Sequence, residues 1–457
     1  MNNTTITKLE NTFKLKEKGT DVKTEILAGL TTFFTCVYIV AVNPAILSAS
    51  GMDPRALFWA TALSAAIGCI WLGLWGNLPF ALAPSMGLNA YFSFYMVNSL
   101  GMSWQNGLAV VFISGVSFVI LALFNIQKIV VDAIPECIKQ SLGAGIGFFI
   151  TFTALFQSGI IAHSPDTLLT LGDLKQSGAL LTLVGIVVTA FLVIKNVKGG
   201  ILWGVLITTA LGLFVRNPET GMMFTSMPSS LISFDNPIEA LRPTFMQLSF
   251  NGMFSGPPVV VIGVVFSILS FLLNDMFNSI GGLVGVAIRA ELVDENGDLL
   301  NADRAMMVSA GGAAIGALLG TSTVTIYCAE SSAGIAQGGR TGLTAITCGV
   351  LFLLTLIFAP LFLMIPSVAT APALVMVGIF MIEPLRRLQL DDFTVAMPVF
   401  FTVAMMTFVY NIFYGMLFGL LSYTFGQIAS GKAKKISPTL WVISGIFLVF
   451  FILDIII

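Results

Sequence analysis

Apolar runs recur along this chain, and polar residues interrupt them only briefly. They fall at 26–48, 57–76, 80–98, 107–125, 135–161, 178–194, 199–215, 257–288, 303–320, 325–337, 342–364, 369–386, 392–409, 411–428 and 438–456. Most approach or exceed the ~20 residues a helix needs to cross a bilayer. The pattern predicts an all-α polytopic membrane protein with fourteen regular transmembrane segments. The last run, 438–456, either spans or lies at the interface. Seven segments precede the long polar connection 216–256 and seven follow it, and an odd number per half makes the halves inverted repeats. Two weak matches occur in the same order in both halves. RALFWATALSAAIG from Arg55 resembles RAMMVSAGGAAIG from Arg304, and IPECIKQSLGAGIGFFI from Ile134 resembles IPSVATAPALVMVGIFMI from Ile365.

Three stretches break the apolar pattern. Gly320–Ala345 reads GTSTVTIYCAESSAGIAQGGRTGLTA and carries Glu330 and Arg340 between two apolar runs. A carboxylate at membrane depth is costly and marks a functional site by default. The β-branched Thr321–Ile326 favours extended backbone, and Ala329–Gln337 suits a short helix ending at Gly338–Gly339. Its counterpart, LPFALAPSMGLN at Leu78–Asn89, has Pro79 and Pro84, which disfavour helix before Ser85. Lipid cannot satisfy the backbone of either extended piece. The simplest prediction is that the two pair near the midplane, bringing their half-helices, Asn89 and Glu330 to one cavity. The third stretch, FLLNDMFNSIGGLVGVA at Phe271–Ala287, sets Asn274, Asp275 and Asn278 in an apolar helix, with Asp275 and Asn278 on one face.

Composition agrees with the class: 56% of the 457 residues are hydrophobic and 10% charged, with a mean hydropathy of +0.95. A net charge of −2 offers nothing to a nucleic-acid partner. With the N-terminus cytoplasmic, only Arg55, Lys175, Arg216 and Arg242 of the 21 Lys and Arg fall outside, which supports that orientation. The first 24 residues are polar and show no cleavable leader. Cys36, Cys69, Cys137, Cys328 and Cys348 lack CxxC spacing and read as packed thiols, with no metal or other cofactor implied. GIAQGGRT at Gly334–Thr341 is one residue from a phosphate loop but reads as a tight turn. DENGD at 294–298 lacks calcium-ligand spacing and reads as a polar turn. His163, the only histidine, sits in a predicted external loop, away from any proton path.

The sequence resembles the nucleobase permeases of the nucleobase–ascorbate (NCS2) superfamily, in particular the purine branch that takes up hypoxanthine, guanine and adenine. The resemblance rests on VNPAILSASGM (Val42–Met52), NLPFALAPSMGLNAYF (Asn77–Phe92), FNSIGGLVGVA (Phe277–Ala287), GTSTVTIY (Gly320–Tyr327) and ESSAGIAQGGRTGLTA (Glu330–Ala345). It implies fourteen segments in two inverted seven-segment repeats. It divides the chain into a cytoplasmic segment 1–25, core domain 26–125 and 257–364, gate domain 126–215 and 365–428, extracellular connection 216–256, and a basic loop with apolar segment 429–457. It implies proton symport of a purine by an elevator-like motion, with substrate between the half-helices. It also implies a multi-pass protein of the plasma (inner) membrane and points to a homodimer. Three departures stand out. Asn278 replaces the second acid of the family's eighth segment, Ser309 stands where an Asp is usual, and one extra residue lies between Tyr327 and Glu330.

The candidate substrate residues are Glu330, Asn278, Asp275, Asn89, Phe80, Ser85, Phe277, Thr325 and Tyr327, with Asp275 and Glu330 as proton carriers. A carboxylate accepts from purine N–H groups, and an amide reads a base edge as donor and acceptor. Aromatic rings stack on a flat base. Each has a plainer alternative: Glu330 pairing with Arg340, Asp275 gating, the amides and hydroxyls (Ser85, Thr323, Thr325) bonding between helices or to backbone, and the rings filling core. Among functions, another nucleobase (uracil, xanthine, urate) or a weakly coupled facilitator keeps the same fold. An anion cargo is disfavoured by the two carboxylates, a passive channel by the discontinuous helices, and an enzyme by the lack of a nucleophile–base or metal set.

Overall fold

A computed structural model describes residues 3–124, 133–255 apart from 219, 229 and 235, 258–289, 292 and 301–456. Within these, the side chains of 3–6, 258–259, 277, 278, 280–289, 435, 450 and 453–456 lie outside the description. The DENGD stretch at 294–298 falls outside it as well. The chain is mostly helical. Among the described residues, eight helices are long and apolar enough to cross a membrane: Val22–Ser50, Pro54–Gly76, Trp104–Leu123, Glu136–Gln157, Ser177–Ile194, Gly342–Leu363, Ser367–Arg387 and Ile412–Ala429. Four apolar helices are shorter, at Gly200–Gly212, Val260–Met276, Phe393–Phe408 and Pro438–Val449. The last belongs to the helix Pro438–Ile456, whose Phe447 stacks on Phe413 with ring centres 5.1 Å apart.

Two of the apolar runs begin as strands rather than helices. The run 80–98 begins as strand β1 (Ala81–Pro84), then a short helix, Met86–Ala90, continued in wider π turns over Tyr91–Ser99. The strands β2 (Ile161–Ser164) and β3 (Leu168–Leu171) form a hairpin that carries His163, with that side chain exposed. The run 325–337 is strand β4 (Val324–Tyr327) followed by the half-helix Cys328–Ala336. β1 and β4 pair antiparallel, Ala81 opposite Tyr327 and Pro84 opposite Val324, all fully or nearly fully buried. Ser85 N–H donates to Thr323 O at 3.0 Å and extends the ladder past Pro84, which has no N–H to give. The predicted pairing of the two extended pieces is what the chain does, because each supplies the backbone partners the other lacks.

Small residues let helices reach these strands. Pro54–Trp71 packs on β1 and Ala302–Leu319 packs on β4. A Cβ on Gly316 would come within 2.4 Å of Ser322 O, so no larger residue fits there without moving the strand. The Ala/Gly-rich character of Ala302–Leu319 is therefore a packing requirement of the strand pair. The connection 216–256 has little regular structure beyond the short helix Pro237–Leu241. It ties back to the bundle where Met246 N–H donates to Leu318 O at 2.8 Å.

Candidate functional site

The predicted residues gather around β4. Just before the strand, Thr323 Oγ1 donates to Asp275 Oδ2 at 2.5 Å. Asp275 projects from the long helix Pro258–Arg289 and is 2% exposed. Its other oxygen, Oδ1, has no partner among the described residues. Thr321, two positions earlier, accepts a hydrogen bond from Asn43 Nδ2 at 2.9 Å. The same amide also donates to Thr61 Oγ1 at 2.7 Å, and Asn43 Oδ1 accepts from Asn89 Nδ2. Asn89 is fully buried, and its own Oδ1 is again an acceptor without a partner among the described residues. Buried polar atoms are almost always paired, and leaving one unpaired costs ~1–3 kcal/mol.

Glu330 stands just after the strand, in the first turn of Cys328–Ala336. The favourable partial charge of a helix N-terminus explains why a carboxylate is tolerated there. Tyr38 OH donates to Glu330 Oε1 at 2.9 Å, and Thr35 Oγ1 donates to Glu330 O at 3.0 Å. The alternative pairing with Arg340 is not what holds Glu330. Arg340 Nη1 instead donates to Ile335 O at 2.7 Å and Gly339 O at 2.9 Å, closing the end of the half-helix. That end is a tight turn with Gly338 at φ 98, as the GIAQGGRT stretch predicts. Tyr327 OH donates to Pro84 O at 2.5 Å across the strand pair.

The remaining candidates divide. Phe80 is fully buried within the hydrophobic core. Thr325 and Ser85 are buried at the strand pair, and Ser85 caps Met86–Ala90, with Asn89 N–H donating to its carbonyl at 2.9 Å. Phe277 and Asn278 fall on the helix Pro258–Arg289, and their side chains lie outside the described residues. Ser309 pairs with Ser279 at 2.7 Å between hydroxyl oxygens. Sequence reasoning missed Tyr38 and Asn43. Both lie in an apolar segment without local signal, although Asn43 belongs to the VNPAILSASGM motif. Two cavities of about 50 and 160 Å³ lie elsewhere, beside the helix Ile39–Leu47, and both are lined by Ala45 and Ser367. Neither is lined by a carboxylate.

The family model Xan_ur_permease, described as a permease family, matches residues 23–418. The chain belongs to this family. It is 38% identical over 439 residues to the adenine permease AdeQ of Escherichia coli K12, covering 96% of this chain and 95% of that protein. It is 40% identical over 450 residues to the guanine/hypoxanthine permease PbuG of Bacillus subtilis 168, covering 96% and 98%. Among solved structures, its fold is similar to the transmembrane domain of the cyanobacterial bicarbonate transporter BicA. The TM-score is 0.62 at 15% identity, covering 89% of this chain and 97% of that one. SLC26A9 follows with a TM-score of 0.59 at 9% identity, covering 90% and 66%. These low identities speak for the fold alone. As a member of the Xan_ur_permease family, the chain is a multi-pass membrane permease and not an enzyme.

Proposed function

We propose that the protein is a secondary active transporter that imports a purine nucleobase by proton symport, with an elevator-like alternating-access motion. The observation that carries this is a pair of buried acceptors without partners among the described residues, Asn89 Oδ1 and Asp275 Oδ1, tied to Thr321 and Thr323 at the entrance of β4, whose far end leads into the half-helix of Glu330. A purine presents ring N–H and exocyclic donors that such acceptors satisfy. Substrate contacts fall to Glu330, Asp275, Asn278 and Asn89, with Ser85 and Thr325 hydroxyls and the rings of Phe80, Phe277 and Tyr327 shaping the site. Asp275 and Glu330 carry the proton. The relatives named for adenine and for guanine/hypoxanthine support a purine as cargo.

The architecture of the proposal is fourteen segments in two inverted repeats. Each repeat holds a helix, a strand and a half-helix in that order: Pro54–Trp71, β1, Met86–Ala90, and Ala302–Leu319, β4, Cys328–Ala336. Segments 26–125 and 257–364 make the moving core, and 126–215 and 365–428 the gate. The N-terminus is cytoplasmic, the host membrane is the plasma membrane, and the unit is a homodimer. A second reading, a weakly coupled facilitator, is favoured by one observation. Asn278 cannot titrate at the place where the family resemblance implies an acid.

Calorimetric titration of the purified protein with hypoxanthine, guanine, adenine and xanthine tests the cargo. The expected affinity is micromolar for at least one base, about −7 to −8 kcal/mol. Absence of heat with all four removes the purine assignment.

A further inference from the structure

Glu25 is a carboxylate that the site described above does not use. It lies in the first turn of Val22–Cys36 and is fully buried. Its oxygens accept four hydrogen bonds from one distant loop. Oε1 accepts from Arg340 N–H at 2.8 Å. Oε2 accepts from Thr341 N–H at 3.3 Å, Thr344 N–H at 3.2 Å and Thr344 Oγ1 at 2.6 Å. Asn77 Oδ1 takes the intervening Gly342 N–H at 2.8 Å. Among these donors, the Gly342 and Thr344 N–H groups belong to the first turn of the helix Gly342–Thr355, where backbone N–H groups lack full intrahelical partners. Thr341 supplies the ordinary cap, accepting from Leu343 N–H at 3.4 Å; Glu25 adds acceptors from another membrane helix.

The same loop ends the half-helix that carries Glu330. Arg340 ties it to the last helical turn through Ile335 O. At the opposite end, Thr35 and Tyr38 of the first membrane span hold the Glu330 carbonyl and carboxylate. Between the two ends the helices touch. A Cβ on Gly334 would stand 2.1 Å from Thr32 Oγ1 and 2.6 Å from Ala28 O. The nine-residue half-helix is therefore clamped to the first span at both ends and pressed against it in the middle.

We propose that Glu25 is a positioning residue for transport. By holding the Arg340–Thr344 loop it sets the depth and tilt of the half-helix, and so the place of the Glu330 carboxylate against Tyr38 and substrate. This rests on Glu330 being the substrate carboxylate. Two clamps on one short rigid element must be coupled, so their loss is not independent.

The test uses the full-length protein, Glu25→Gln, Tyr38→Phe and the double variant. Gln keeps one acceptor oxygen and turns an N–H donor toward donors. Calorimetry with hypoxanthine and adenine reads the purine Kd, and amide hydrogen exchange reads the half-helix. Expected are a Kd raised about tenfold by Glu25→Gln, faster exchange in Cys328–Ala336, and a double-variant Kd below the product of the single effects. A Kd within twofold of the unsubstituted protein overturns the proposal, and so do independent, multiplying effects. If Glu25→Gln does not reach the membrane, Thr344→Val removes the hydroxyl that reaches Glu25 Oε2 at 2.6 Å and Glu25 O at 3.3 Å while keeping the backbone bonds, and is expected to raise Kd two- to fivefold; an unchanged Kd is equally fatal. Should the unsubstituted protein bind no purine, the cargo assignment fails instead. The exchange measurement still decides the clamp, and unchanged exchange in the half-helix refutes it.

Discussion

Glu330, Asp275 and Asn89 were legible as residues because a charge or amide in an apolar run has no cheap structural use. Their partners were not. Tyr38 and Asn43 look like ordinary occupants of a first membrane span, and only the fold brings them 292 and 46 positions across the chain to Glu330 and Asn89. Glu25 was invisible for the same reason, since its ligands are backbone N–H groups some 315 positions away. The residue-scale predictions follow from these contacts. Glu330→Gln is expected to reach the membrane in normal amount and to lose uptake, since the acceptor proposed to face substrate is replaced in part by a donor. Uptake near the unsubstituted rate would reduce Glu330 to a structural residue. Tyr38→Phe removes one hydrogen bond to a carboxylate, worth ~1.5–3 kcal/mol. It is expected to raise the KM for uptake at least tenfold with a smaller change in maximal rate, as read from initial-rate kinetics.

At the scale of elements, β1 and β4 were foreseeable from chemistry. Two prolines before Ser85 and a run of β-branched residues before Glu330 are poor helix, and lipid leaves such backbone no partner but another extended piece. What could not be foreseen is which helices support the pair. Gly316 answers part of that, because its hydrogen faces Ser322 O where a Cβ would be 2.4 Å away. Gly316→Val is therefore expected to displace β4 and the segment before it that carries Thr321 and Thr323. The measurable result is a lower yield of monodisperse protein in size-exclusion chromatography and lost uptake, whereas Gly143→Ala, with nothing within 4 Å of the added Cβ, serves as the tolerated control. Equal yields for the two would show that the close approach is not required. The helix Pro438–Ile456 is ~28 Å long at 1.5 Å per residue, slightly shorter than the ~30 Å core of a bilayer.

For the whole molecule, the mostly helical membrane class was readable from hydropathy alone, while the proposed working cycle turns on which residue carries a proton. Asp275 lies one turn from Asn278 on the same helix. If Asp275 has taken over the proton from the position Asn278 occupies, Asp275→Asn is expected to lower accumulation against a gradient more than equilibrium exchange. Asn278→Asp is expected to shift the pH dependence of uptake while leaving purine binding intact. Comparable losses of accumulation and exchange in Asp275→Asn would assign that residue to substrate binding rather than coupling. The measurement that bears most directly on the account as a whole is uptake of radiolabelled hypoxanthine, guanine and adenine into proteoliposomes. It is made with and without an inwardly directed proton gradient, and with each unlabelled base as competitor. The account predicts saturable uptake of at least one purine, competition by its congeners, and acceleration by the gradient that a protonophore abolishes. Uptake of none of the three bases would contradict it.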